Sequence, residues 1–295
     1  MKLSIFLLFT VAIALQSQPL QERYAQYGEL FVTQFSSAPF PHPDRANGHL
    51  YNNQTFSAQE HYSDSSVAIF IPKGFKPTAK INIVVYFHGW NNNIDSACAQ
   101  FKLIEQFSES KKNAIFVFPE CPKNSPDSFG GRLEEKDGLK NLVNEVLKYI
   151  QEIKNIKRIT VGSIILAGHS GAYRVISFCL MRGGLTKNIS DIILFDALYG
   201  ETEKYSYWID HYKGRFINIY TDSGGTKNES ESLMSDLEGW KIPYLSKEEK
   251  DVNNNDLVKN RIIFIHSELS HNEVIGANNQ FRTFLSTGKI ETRKP

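Results

Sequence analysis

Cysteine is scarce: 295 residues hold only three, Cys98, Cys121 and Cys179. That is too few for a disulfide-built scaffold. An excess of either charge is lacking as well. Lys and Arg total 33 against 32 Asp and Glu, a formal net charge of +1, which excludes a nucleic-acid binder working by bulk electrostatics. Long apolar runs are missing beyond the first residues. Nothing there approaches the ~20 residues that cross a bilayer, so no membrane span is expected in the mature chain. Internal repeats and Pro/Gly/Ser-rich linkers are also absent, and residues 18–295 are expected to form one domain. Core-forming residues are present in ordinary amount. Hydrophobic residues make up 41% and aromatics 12%, which excludes extended disorder.

The first residues stand apart. Lys2 precedes an apolar run from Leu3 to Leu15, 13 residues long and too short for a stable anchor. Ala14 and Ser17 lie near its end. A charged start, a short apolar core and small residues after it read as a secretory signal over residues 1–17. A secreted or periplasmic location is therefore expected.

Beyond it, strand and helix signals alternate. Strand-like runs occur at Leu30–Phe35, Val67–Ile71, Ile81–Phe87, Ala114–Phe118, Ser163–Ala167, Asp191–Phe195, Phe216–Tyr220 and Ile262–Ile265. Helical spacing joins Ala97, Cys98, Phe101, Ile104 and Phe107, and again Leu139, Leu142, Val143, Val146, Leu147, Ile150 and Ile153. Further helices follow Ser170, cover Tyr205–Tyr212, and run from about Val274 to Leu285. Ser36–Ser66 is polar and rich in Pro, His, Asn and Ser. Ser246–Asp256 reads as an exposed charged loop. The alternation predicts an α/β fold, a mostly parallel sheet of about eight strands flanked by helices on both faces.

The most informative stretch is Gly168-His169-Ser170-Gly171-Ala172, which links an apolar strand directly to a helix. A serine on such a turn is strained and exposed. Gly168 and Ala172 allow close packing, and Gly171 can offer its backbone N–H. A dinucleotide fingerprint is excluded, because Ser170 and Tyr173 occupy its second and third glycine positions. On this elbow, and on the strand order around it, the chain resembles the α/β-hydrolase superfamily, with Ala172 where the family usually has glycine. The resemblance covers about Glu29–Leu285.

It implies a serine hydrolase with Ser170 as nucleophile and no large cap domain, since Asp196–Phe216 is short. By position, the loop His88-Gly89-Trp90 would place the N–H of Trp90 beside that of Gly171 as an oxyanion hole. The base would follow the last strand: His271, in a loop before the final helix, rather than His266 at the strand tip. The acid is Asp196 or Asp222, both at strand tips after the nucleophile. The superfamily's usual place favours Asp222. Local chemistry tips the choice to Asp196, with Asp222 as the alternative, because a carboxylate in apolar company needs a partner, whereas Asp222 sits in a turn-forming sequence.

The expected reaction is ester cleavage through an acyl-enzyme, on a small-molecule or polymeric substrate. The alternatives are a peptidase or amidase on the same residues, or a non-catalytic binding protein of this fold. No cofactor is expected; His42, His49 and His61 lack the spacing of a metal site. In the resembled architecture Cys98 and Cys121 both lie at the C-terminal edge of the sheet and are expected to pair, leaving Cys179 a buried free thiol. Ser36–Ser66, carrying His42, Asp44, Arg45 and His49, is expected to border the same edge.

Overall fold

The computed structural model describes residues 19–293; the expected signal over residues 1–17 lies outside them. Eleven strands follow in chain order: β1 (Gly28–Gln34), β2 (His49–Tyr51), β3 (Gln54–Phe56), β4 (Ser66–Pro72), β5 (Lys80–Phe87), β6 (Ile115–Pro119), β7 (Thr160–His169), β8 (Ile189–Phe195), β9 (Arg215–Thr221), β10 (Leu245–Glu248) and β11 (Ile262–Ser267). Strands β2 and β3 form a separate hairpin. The other nine make one sheet in the order β1-β4-β6-β5-β7-β8-β9-β11-β10. From β6 to β10 all neighbours are parallel. Strand β4 alone runs the other way, antiparallel to both β1 and β6. Strand β1 therefore ends on the same edge as the parallel strands.

The apolar runs that identified the strands are continuous because both faces are covered. Side chains alternate between two cores. On one face Ile83, Val85, Ile115, Val117, Ile164 and Leu166 meet the helices Gly138–Lys154, Tyr173–Arg182, Thr202–His211 and Lys227–Gly239. On the other, Val84, Tyr86, Phe116, Phe118, Ile165 and Ala167 meet the helices Ile94–Phe101, Leu103–Glu109 and Gln280–Ser286. Among the described residues, no helix is long and apolar enough to cross a membrane.

Three expectations need correction. Ser246–Asp256 is not all loop: Leu245–Glu248 pairs in parallel with β11 and adds a ninth strand to the sheet of about eight. As an edge strand it uses one side of its hydrogen-bonding ladder and is only partly buried, so it carries no apolar alternation. The final helix is shorter than its periodicity implied: Val274 and Ile275 are buried, but they belong to turns ahead of Gln280–Ser286. The bridge between Cys98 and Cys121 does not form; all three cysteines are free and buried. Both residues do lie near one edge of the sheet, but on opposite faces. Cys98 packs with Tyr86 and Phe101, and Cys121 shares the other core with Cys179.

At the opposite edge of the sheet, Arg215 and Asp191 form a buried ion pair, Nε to Oδ1 at 2.7 Å. The remaining guanidinium donors reach Leu257 O, Thr287 Oγ1 and Phe284 O at 2.7–3.2 Å, tying β8 and β9 to the C-terminal helix. Removing one partner strands a buried charge. Arg215→Ala is expected to cost about 3–5 kcal/mol of unfolding free energy in denaturant titration, and a loss under 1 kcal/mol would show the pair to be dispensable. Thiol titration of the denatured, unreduced protein should count three thiols; a count of one would restore the disulfide.

Candidate active site

Strand β7 runs through His169 into a one-turn segment, Ser170–Ala172, and then into the helix Tyr173–Arg182. Ser170 adopts φ +55°, a left-handed conformation costing a non-glycine residue on the order of 1–3 kcal/mol. Its neighbours permit the turn by being small. A Cβ on Gly168 would come within 2.5 Å of the Ala172 methyl, and one on Gly89 within 2.5 Å of the Ser170 Cβ. Ala172 thus fits where glycine is usual, its methyl lying over the bare Cα of Gly168.

Asp196 follows β8, is fully buried, and also has positive φ, +44°. Its Oδ2 lies 2.7 Å from His271 Nδ1. The carboxylate further accepts from the Thr221 N–H at 3.1 Å, the Thr221 hydroxyl at 2.8 Å and the Thr226 hydroxyl. A Cβ on Gly224 would fall on the carboxylate itself. Burial pushes the Asp196 carboxyl up, but the hydrogen bonds from His271, Thr226 and Thr221 outweigh it and hold the group below the ordinary carboxylate range. With Nδ1–H donated to an ionised acid, His271 keeps Nε2 as its acceptor nitrogen.

Asp222 is elsewhere. It is exposed, 2.7 Å from Lys227 Nζ and 3.2 Å from His266 Nε2. His266 also pairs with Glu248 at 3.0 Å, beside an open cleft of about 490 Å³ that holds neither Ser170 nor His271. Of the two acids and two histidines open in the sequence, Asp196 and His271 meet each other; Asp222 and His266 form a separate surface pair.

His169 has a role that sequence spacing did not reveal. Its Nε2–H donates to the His271 carbonyl at 2.8 Å. Its ring packs against those of His271, at 4.4 Å, and Phe101, at 5.0 Å. Burial, and then the neighbouring His271, push its pKa down to about 3, so it remains neutral while bracing the loop that carries His271.

The loop after β5 completes the edge. Gly171 is the second residue of its short turn, so its N–H is one the turn leaves unused. The Trp90 indole lies over it, close enough that a Cβ on Gly171 would strike the ring, and donates Nε1–H to Ser128 Oγ at 2.7 Å. Beneath, buried His88 donates Nδ1–H to Gly89 O at 2.7 Å and meets Glu120 Oε1 through Nε2 at 2.9 Å. The second Glu120 oxygen accepts the Ile94 N–H. Trp90, Ser128, Ser170, Gly171, Tyr173 and Tyr199 line a pocket of about 300 Å³. The Ser36–Ser66 insertion borders it: Arg45 pairs with Asp127 at 2.7 Å, and Tyr51 packs on Trp90 with ring centroids 5.2 Å apart. Among the described residues no three His, Cys, Asp or Glu side chains are grouped to hold a metal ion.

No family model matches the chain, and no curated protein matches it in sequence. Solved structures do. One is the substrate-bound fluorophosphonate-binding serine hydrolase F of Staphylococcus aureus: TM-score 0.53 and 9% identity, over 89% of this chain and 100% of that one. Another is the feruloyl esterase module from Clostridium thermocellum complexed with sinapinate: TM-score 0.50 and 11% identity, over 93% of this chain and 90% of that one. The chain has the α/β-hydrolase fold.

The lowered pKa of His169 has a consequence for stability. The unfolded state, with an ordinary histidine pKa near 6.5, takes up a proton that the folded state refuses. Stability from this group is complete above about pH 6.5 and is lost as pH falls toward 3, at up to ~1.4 kcal/mol per unit. His169→Gln keeps a donor for the His271 carbonyl but cannot titrate. Its melting temperature should fall less than wild type between pH 7 and pH 4.5; equal falls would refute the assignment.

Proposed function

We propose that this protein is a serine hydrolase that cleaves carboxylic esters through an acyl-enzyme, with Ser170, His271 and Asp196 as its catalytic residues. The observation that carries the reading is the 2.7 Å contact between His271 Nδ1 and the buried Asp196 carboxylate, together with a serine held on a strained elbow. Ser170 Oγ attacks the ester carbonyl while His271 Nε2 takes its proton. Asp196, ionised and caged, stabilises the imidazolium. The oxyanion accepts from the N–H groups of Gly171 and Trp90, each worth about 3 kcal/mol where such donors are preorganised. Collapse expels the alcohol, which takes the proton from His271. Water then repeats the sequence on the acyl-enzyme, releasing the acid and returning the proton to Ser170.

Hydrolysis is supported by the names of the solved neighbours, a serine hydrolase and a feruloyl esterase. A pocket of about 300 Å³ directly beside Ser170 suits an acyl group of modest size. The chemistry requires no cofactor. Export, through the signal read in residues 1–17, is part of the same proposal.

A fluorophosphonate probe should label wild type and leave Ser170→Ala unlabelled. On a fast aryl ester, Asp196→Asn should lower kcat by about 10⁴-fold without unfolding the protein, and Asp222→Asn should change it by less than about twofold. Equal labelling of the Ser170 variant, or a collapse confined to Asp222→Asn, would overturn the assignment.

A further inference from the structure

Two segments frame the pocket mouth on the side of Trp90: the hairpin β2–β3 and the loop from Gly89 to Asn93. Tyr51 meets the Trp90 ring edge-on, at 5.2 Å and 74°. The indole N–H of Trp90 is already given to Ser128, which fixes the ring and satisfies its polar edge. Yet Trp90 remains 41% exposed and Tyr51 36%. An aromatic ledge therefore runs outward from Gly171, next to the nucleophile, through Trp90 to Tyr51 on the hairpin. Exposed apolar groups joined in this way mark a binding surface more often than scattered ones do.

The ledge also lacks charge. In a chain where 22% of residues are charged, Ala46–Gln59 contains no Asp, Glu, Lys or Arg, and neither does His88–Ile94. The exposed polar side chains there are neutral, among them Asn47, Asn52, Asn53, Gln54, Thr55 and Asn91. Backbone geometry explains part of this. Asn52, Asn53 and Asn91 have φ of 47–62°, which favours Asn, Asp or Gly. It does not explain why no position takes the aspartate that the same geometry accepts.

From the ledge and its neutral rim we infer a subsite for a neutral carbohydrate. The apolar C–H face of a sugar ring would lie on one of the two rings and abut the other, since Trp90 and Tyr51 stand at 74°, and its hydroxyls, which both donate and accept, would meet amides that do the same. A polyanion or charged peptide would find no counter-charge in these two stretches, the nearby Arg45 being paired with Asp127, and a lipid chain would leave the amides unused. On the ester-hydrolase reading, the sugar is the alcohol part of the substrate and its acyl group fills the pocket at Ser170.

Ser170→Ala protein should be run through native gels containing arabinoxylan, glucomannan or polygalacturonate, and mixed with phosphatidylcholine vesicles. At least one neutral polysaccharide should retard it. Adding Tyr51→Ala, or Asn53→Asp, which adds charge without removing packing, should weaken that retardation about tenfold. Unchanged melting temperatures would exclude misfolding. No retardation by either neutral polymer, retardation indifferent to both variants, stronger retardation by polygalacturonate, or capture by vesicles instead would each overturn the inference. The gel needs no turnover. Binding that depends on Tyr51 in a protein the fluorophosphonate fails to label would refute the hydrolase and keep the subsite; labelling without binding would do the reverse.

Discussion

A carboxylate with no access to water must be satisfied by the chain around it, and Asp196 gathers much of the site for that purpose. It ends β8, takes two hydrogen bonds from Thr221 at the end of β9 and one from Thr226 beyond it, and holds His271 from the loop after β11. Three adjacent strand ends are thereby referred to one group. The same bonds that make burial tolerable keep the acid ionised and fix which imidazole nitrogen is free. Gly224 belongs to this arrangement, since only a residue without a side chain can pass so close to the carboxylate.

The two ends of the sheet are built from different materials. At the end where the parallel strands begin, Arg215 and Asp191 form a closed network with backbone carbonyls and no pocket between them. At the other end, Ser170 and Asp196 both occupy left-handed backbone, an aromatic pocket stays open, and an insertion leans on Trp90. Two strained residues and an open pocket meet where substrate would arrive, and the Arg215–Asp191 network braces the opposite end.

How much of this could be read from the residues depended on whether a feature was local. The elbow at Ser170 was legible because strand, turn and helix are contiguous, and most sheet strands were legible because burial on both faces writes long apolar runs. Asp196 stood out because a charge within Ile-Ile-Leu-Phe demands a partner. By contrast, His169 and His271 are 102 residues apart, and nothing in either neighbourhood announces their contact. Thr221 and Thr226 were hidden in a segment that reads as a turn around Asp222. The cysteine pairing failed because strand order assigns a residue to an edge of the sheet but leaves its face undetermined. Strand β10 failed because an edge strand needs little apolar material.

The separation of the thiols across the sheet bears on how the chain could mature. Once folded, Cys98, Cys121 and Cys179 are buried and their thiols are pushed up by that burial, so they offer almost no thiolate to an oxidant. Before folding they have no such protection. In the oxidising compartment that the proposed export implies, any pair joined early would link residues that belong to different positions in the core. Joining Cys98 to either partner would tie opposite faces of the sheet together. With export as proposed, maturation would be a race between collapse of the sheet and oxidation, with the native state as the reduced product.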